Sequence, residues 1–226
     1  SAAEDPKASA RRDALGVKVE EDAACVSAAS AGSSGAGGSI GGVPAPYDAF
    51  VELKVLPAYA RDALKARGIT APTPLQAQVL PLSLSGRDVA GAAPAGAGKT
   101  LACLLVAVVH AEEQTPSAHS QKAAPVAVVL VPTRERAVQF QEEASKVLRH
   151  SKQGKHQDGV ALACLHSGGA KEEPSLKGGV HILVATPGRL VDLVRQQAVS
   201  LERTALFAVC EADQLLDRGT LCDEVL

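Results

Sequence analysis

The 226-residue chain contains no tryptophan and no methionine, and only two tyrosines and three phenylalanines. With so few rings the core must be aliphatic, built mainly from Ala, Val and Leu. Rings are also too few for a platform that stacks a run of nucleobases. No apolar run approaches the length needed to cross a bilayer, which excludes a spanning helix. Neither sign of charge dominates: 23 Lys and Arg stand against 25 Asp and Glu, so any polyanion site must be a local patch. The five cysteines (Cys25, Cys103, Cys164, Cys210, Cys222) form no Cys-x-x-Cys pair. An odd, scattered set predicts reduced thiols in a soluble, intracellular protein, not a disulfide framework or a zinc site. The missing methionine implies that Ser1 is not the translated start, or that an initiator residue was removed.

Residues 1–45 are rich in Ala, Ser and Gly, most of all across 27–38. Such a segment buries too little apolar surface to offset its ordering entropy, so a disordered tail is expected there. Its acidic residues, among them Glu4, Asp5, Asp13 and Glu20, speak against an acid-poor transit peptide. No internal repeat is visible.

The stretch Ala93-Pro94-Ala95-Gly96-Ala97-Gly98-Lys99-Thr100 carries the strongest chemical signal. It follows a short apolar run at 88–92, expected to be a strand, and precedes an apolar helical run at 101–110. Small residues let backbone N–H groups turn inward around phosphates, and a helix N-terminus adds partial positive charge. Lys99 would reach the β- and γ-phosphates, and the Thr100 hydroxyl would ligate magnesium. Ala93 stands where the usual pattern has its first Gly. A nucleoside triphosphate is the expected ligand.

Around this loop the pattern alternates. Helices are expected at 56–67, 74–84, 134–149 and 189–197, and strands at 126–131, 160–164, 181–185 and 205–209. Nearly continuous apolar strands alternating with helices predict an α/β domain, a mostly parallel sheet with helices on both faces.

Six short segments follow in order: Phe50 ahead of Pro72-Thr73-Pro74-Leu75-Gln76, the phosphate loop, Pro132-Thr133-Arg134-Glu135-Arg136, Ser167-Gly168-Gly169, Thr186-Pro187-Gly188-Arg189, and Cys210-Glu211-Ala212-Asp213. Together they resemble the first RecA-like P-loop NTPase domain of the DEAD-box ATP-dependent RNA helicases, from about residue 47 to the end. The resemblance implies that residues 46–226 are an incomplete ATP-binding domain, with ATP and Mg2+ as ligands and RNA as partner. It implies that Gln76 reads the adenine edge while Phe50 packs on the base. A carboxamide suits adenine because it offers one donor and one acceptor. It places Ala95, Gly96, Ala97, Gly98, Lys99, Thr100 and Asp213 around the nucleotide. Thr133, Arg134, Gly168, Gly169, Thr186 and Arg189 would grip the RNA sugar-phosphate backbone, a contact that carries no sequence information.

Two departures stand out. Arg136 replaces the family's apolar Leu and adds charge near the expected RNA surface, or disturbs a helix contact. Cys210 replaces the first Asp of the Asp-Glu-Ala-Asp signature, which in the family holds magnesium through water. Magnesium prefers oxygen ligands, and a neutral thiol supplies neither the oxygen nor the charge. Glu211, the family's catalytic base, is retained. The chain also ends before the Ser-Ala-Thr motif and the second RecA-like domain. The resemblance therefore implies a helicase domain that is inactive when isolated. The alternative is a non-catalytic nucleotide- or RNA-binding scaffold with ribonucleoprotein partners.

Overall fold

The computed structural model describes residues 6–19, 43–114, 123–166, 176 and 179–217. The chain divides into two compact units, one made of Ser1–Leu53 and Ile69–Ala102, the other of Lys54–Gly68 and Cys103–Leu226.

The first unit begins with helix α1, Pro6–Leu15. The expectation of a disordered tail over 1–45 fails for this stretch, and Arg12 supplies the reason. Its Nε donates to Gln78 Oε1 at 2.8 Å, and its Nη2 donates to the carbonyls of Val43 and Pro44 at 2.8 and 2.9 Å. The guanidinium is buried, and charge-assisted bonds to neutral acceptors offset the cost of burying it. The Ser/Gly-rich stretch 27–38 lies outside the described residues. After a short 3-10 turn at Phe50–Glu52 comes α3, Pro74–Leu84, which matches the expected span. Thr73 caps it, and the proline at its first position needs no N–H partner there.

Residues 88–92 do not form the expected strand; the stretch is exposed and without a ladder partner. Asp88, Ala90, Gly91 and Ala92 carry too little apolar side chain to hold a strand in place. Gly91 instead lies close against Leu75 and Val79, where a side-chain carbon would come within 3.2 Å of Leu75.

The second unit holds α2, Ala58–Ala66, and a parallel sheet of four strands: β1 Ala127–Leu130, β2 Leu162–Leu165, β3 Ile182–Ala185 and β4 Leu206–Val209. Their order is β2-β3-β1-β4, with Leu130 opposite both Ala185 and Val209. The two central strands are buried at every position, which explains their unbroken apolar sequences. Helix α5, Arg134–Leu148, follows β1; α6, Pro187–Arg195, follows β3; and α7, Ala212–Asp217, follows β4. Leu130, Leu165, Leu183, Leu190, Leu193 and Leu215 belong to one aliphatic core. Helix α4, Lys99–Glu113, is continuous, its first residues belonging to the first unit and the rest to the second. Among the described residues no helix is long and apolar enough to cross a membrane.

Candidate functional site

The loop at 93–100 is shaped by its glycines and held by the start of α3. Gly96 and Gly98 both adopt φ of 81°, a left-handed conformation that costs glycine little. At Gly98 a side-chain carbon would also collide with the Gln76 carboxamide. Two side chains tie the loop down: Thr73 Oγ1 donates to the Ala97 carbonyl at 2.7 Å, and Gln76 Nε2 donates to the Gly98 carbonyl at 3.0 Å. Gln76 Oε1 accepts from the Thr73 N–H at 3.0 Å, closing a capping box. Gln76 is therefore buried and bonded through both ends of its amide. The loop role of Thr73 was missed in the sequence, although Pro-Thr-Pro before an apolar run is a helix-start signal.

The chain enters α4 directly from Gly98, so the first N–H groups of a 15-residue helix lie at the end of the loop. Lys99 Nζ donates back to the carbonyls of Ala93 and Pro94, at 2.5 and 3.1 Å. Ala95 and Gly96 are exposed, while Ala97, Gly98, Lys99 and Thr100 are half-buried. Phe50 is buried in the same unit.

The second unit gathers its candidate residues at the carboxyl ends of the strands, where open α/β sheets bind ligands. Thr133 follows β1 and caps α5, accepting from the Arg136 N–H at 3.3 Å, and Arg134 opens that helix exposed. Thr186 follows β3 directly as the N-cap of α6, and its N–H donates to Leu165. Its side chain makes no capping bond, which leaves the hydroxyl unspent on the helix. Arg189, one turn on, has a buried Nε without a hydrogen-bond partner. A buried donor left unsatisfied costs roughly 1–3 kcal/mol, so an anionic acceptor would be stabilised there. Gly168 and Gly169 lie outside the described residues.

Beyond β4, the N–H of Cys210 donates to the Leu130 carbonyl at 2.9 Å, and its thiol lies 3.7 Å from that of Cys103 on α4. The hydrogen bond to the Cys103 sulfur, then burial, push the Cys210 thiol well above its ordinary range. Glu211 adopts φ of 55°, a strained conformation for a residue with a side chain. Both its carboxylate oxygens are engaged: Oε1 with Arg136 Nη2 at 3.1 Å, Oε2 with Gln214 Nε2 at 3.0 Å. Asp213 is exposed in the first turn of α7.

The two implied ligands fit this chain unequally. The glycine cradle and the helix start fit a polyphosphate. Thr100 carries one oxygen suited to magnesium, whereas the sulfur of Cys210 is a poor donor to a hard cation. Among the described residues, no group of three or more His, Cys, Asp or Glu side chains is assembled to hold a metal.

Comparison with known proteins agrees with this geometry. Residues 73–225 match the DEAD/DEAH box helicase family. The DEAD-box ATP-dependent RNA helicase 20 of Arabidopsis thaliana is 40% identical over 179 residues, covering 78% of this chain and 34% of that protein. The crystal structure of the yeast DEAD-box splicing factor Prp28 superposes with a TM-score of 0.72 at 31% identity, over 80% of this chain and 41% of that one. The ADP-bound RNA helicase Prp28 of Chaetomium thermophilum gives 0.64 at 32%, over 80% and 42%. The chain thus spans about a third of the length of this curated relative. With the loop, the parallel sheet and the family match in agreement, the chain belongs to the DEAD/DEAH box helicases and corresponds to their N-terminal RecA-like domain.

Proposed function

We propose that residues 46–226 form the ATP- and RNA-binding half of an RNA helicase, whose ATP hydrolysis and RNA remodelling need a second RecA-like domain. The observation that carries the reading is the loop: two left-handed glycines, anchored by Thr73 and Gln76, leading without a break into α4. That arrangement presents backbone N–H groups and Lys99 to a polyphosphate. Gln76 holds the Gly98 carbonyl of the loop directly, which suits a side chain that couples base identity to loop shape. The ADP bound to a similar helicase supports an adenine nucleotide. Thr133, Arg134, Thr186 and Arg189, with Gly168 and Gly169, form a backbone-reading set without aromatic stacking. The orphaned Arg189 Nε supports a phosphate there. Glu211 acts as the base toward the attacking water, and Asp213 links this segment to the nucleotide.

Titration calorimetry tests the nucleotide assignment. ATP and ADP bind more tightly than GTP, because guanine reverses the donor and acceptor at its edge. Gln76→Ala removes that preference, worth about 1–3 kcal/mol for a lost bidentate pair. Lys99→Ala weakens both nucleotides alike. Equal affinity of the unaltered chain for ATP and GTP would overturn the role of Gln76.

A further inference from the structure

The described residues contain one close pair of sulfur atoms, and it lies where the family signature is broken. Cys103 sits on α4 and Cys210 follows β4, far apart in sequence, yet their sulfurs are 3.7 Å apart. We propose that Cys103 and Cys210 are a redox modification site, joined by peroxide-class oxidants into an intrachain disulfide between α4 and the end of β4.

The geometry favours a bond between these two residues. A disulfide has its sulfurs about 2.05 Å apart, so the two sulfurs need to approach by roughly 1.7 Å. Both thiols sit on fixed backbone. Cys103 is inside a 15-residue helix, and the Cys210 N–H is held by Leu130. Both are half-buried, so a small oxidant suits the site better than a bulky one. The pair is also chemically asymmetric. The Cys210 S–H donates to the Cys103 sulfur, and that hydrogen bond draws the Cys103 thiol below its ordinary range. The hydrogen bond to Cys103, then burial and the nearby Glu211 charge, push the Cys210 thiol up. Cys103, the sulfur that accepts the Cys210 S–H, is the one placed to attack.

The reaction balances with hydrogen peroxide as oxidant. The Cys103 thiolate attacks one peroxide oxygen; an S–O bond forms, the O–O bond breaks, and the departing hydroxide is protonated to water. Cys103 is then a sulfenic acid. The Cys210 sulfur attacks it, the S–S bond forms, the S–O bond breaks, and the Cys210 proton leaves with the hydroxyl as a second water. Two thiols are oxidised and one peroxide is reduced. The bond also closes a long loop of chain, which restricts the unfolded state and raises the unfolding temperature.

The test treats the full chain with hydrogen peroxide, blocks remaining thiols by alkylation, and maps peptides by mass. The expected result is one peptide pair linking Cys103 to Cys210, lighter by two hydrogens, with Cys25, Cys164 and Cys222 alkylated. The unfolding temperature should rise and return on treatment with dithiothreitol. A chain carrying Cys25→Ser, Cys164→Ser and Cys222→Ser should keep both effects, and adding Cys103→Ser should abolish them. Mapping of the unaltered chain stands on its own where a variant fails to fold. The proposal is overturned if Cys103 and Cys210 remain alkylatable, oxidise separately to sulfinic acids, or link to other cysteines or to a second molecule. None of these readouts depends on nucleotide binding.

Discussion

The Arg136 guanidinium lies 3.1 Å from the carboxylate of Glu211, joining the first turn of α5 to the residue that follows Cys210. A second donor of the same guanidinium is fixed on Gln139 at 3.0 Å. The family-signature glutamate is therefore held by a cation where the resemblance implies an apolar leucine. As the base proposed above, Glu211 must break a charge-assisted contact before it turns toward a water.

That pairing predicts the effect of Arg136→Leu. The Arg136 side chain is 46% exposed, and exposed ion pairs contribute about 0–1 kcal/mol, so stability should change little. Turnover should rise, because the Glu211 oxygen is released. Thermal unfolding, together with phosphate release from a chain extended by a second RecA-like domain of the family, separates the two effects. Unchanged or slower turnover would show that the pair positions Glu211 and does not restrain it.

Acid should weaken the second unit through His181. Its Nδ1 accepts the N–H of Ala161 at 3.0 Å, a bond only the neutral ring can make. Burial, then the charges of His156 and Arg203, lower its pKa from 6.5 to about 4, against a smaller opposing effect of Glu112. The unfolded side chain takes up its proton near 6.5, so the unfolded state binds more protons between that pH and about 4. Stability is present above pH 6.5 and is lost as pH falls toward 4. His110, also lowered by burial, adds to the same window. Glu143 is held low by Lys146 and Arg67, and its contribution is lost only below about 4.5. Denaturant unfolding at pH 7 and pH 5 should show the drop, and His181→Asn, which keeps an acceptor without titrating, should reduce it. An equal drop in the variant would remove His181 as the cause.

The sheet edge predicts self-association. Among the described residues β4 pairs only with β1, and on that strand Phe207 is 46% exposed and Val209 36%. An unpaired edge with apolar side chains is a template for pairing with another chain. The isolated chain should sediment as a mixture of species, and Phe207→Lys should shift it toward a monomer. A monodisperse monomer with a sharp thermal transition, before any substitution, would sink this expectation.

Sequence legibility tracked how local each determinant is. The span 74–84 is readable because Thr73, Pro74 and the Ser85-Gly86 stop lie within the segment itself. The central strands are readable because burial on both faces demands unbroken apolar runs. Residues 88–92 mislead, since a short run of small residues becomes a strand only beside a partner. Helix α1 is hidden because Arg12 depends on carbonyls at Val43 and Pro44 and on Gln78, while composition averages over the whole tail. At the candidate site the loop and its lysine are explicit in sequence. The Arg136–Glu211 and Cys103–Cys210 contacts are not, because each joins separate elements that only the folded sheet brings together. Sequence did mark both Arg136 and Cys210 as departures, which is where the unexpected contacts occur.

Restoring a carboxylate at position 210 tests whether that departure silences the chain. Cys210 follows β4 with its backbone fixed on Leu130, so Cys210→Asp presents a hard, charged oxygen donor from the same place. It also removes the sulfur contact to Cys103, which leaves a small stability change to be measured separately. Nucleotide affinity should rise modestly, since Thr100 and the phosphates already offer oxygens to a cation. Turnover should rise more, because phosphoryl transfer depends on fixing charge while it redistributes in the transition state. In a chain extended by a second RecA-like domain, RNA-stimulated hydrolysis should increase on the order of a hundredfold, corresponding to about 3 kcal/mol of transition-state stabilisation. Adding Glu211→Gln should abolish the gain, because the carboxylate at 210 has no base to work with. If the Asp variant hydrolyses ATP no faster than its Cys parent, position 210 is not the metal position and the alignment of the Cys-Glu-Ala-Asp segment with the family signature carries no chemistry.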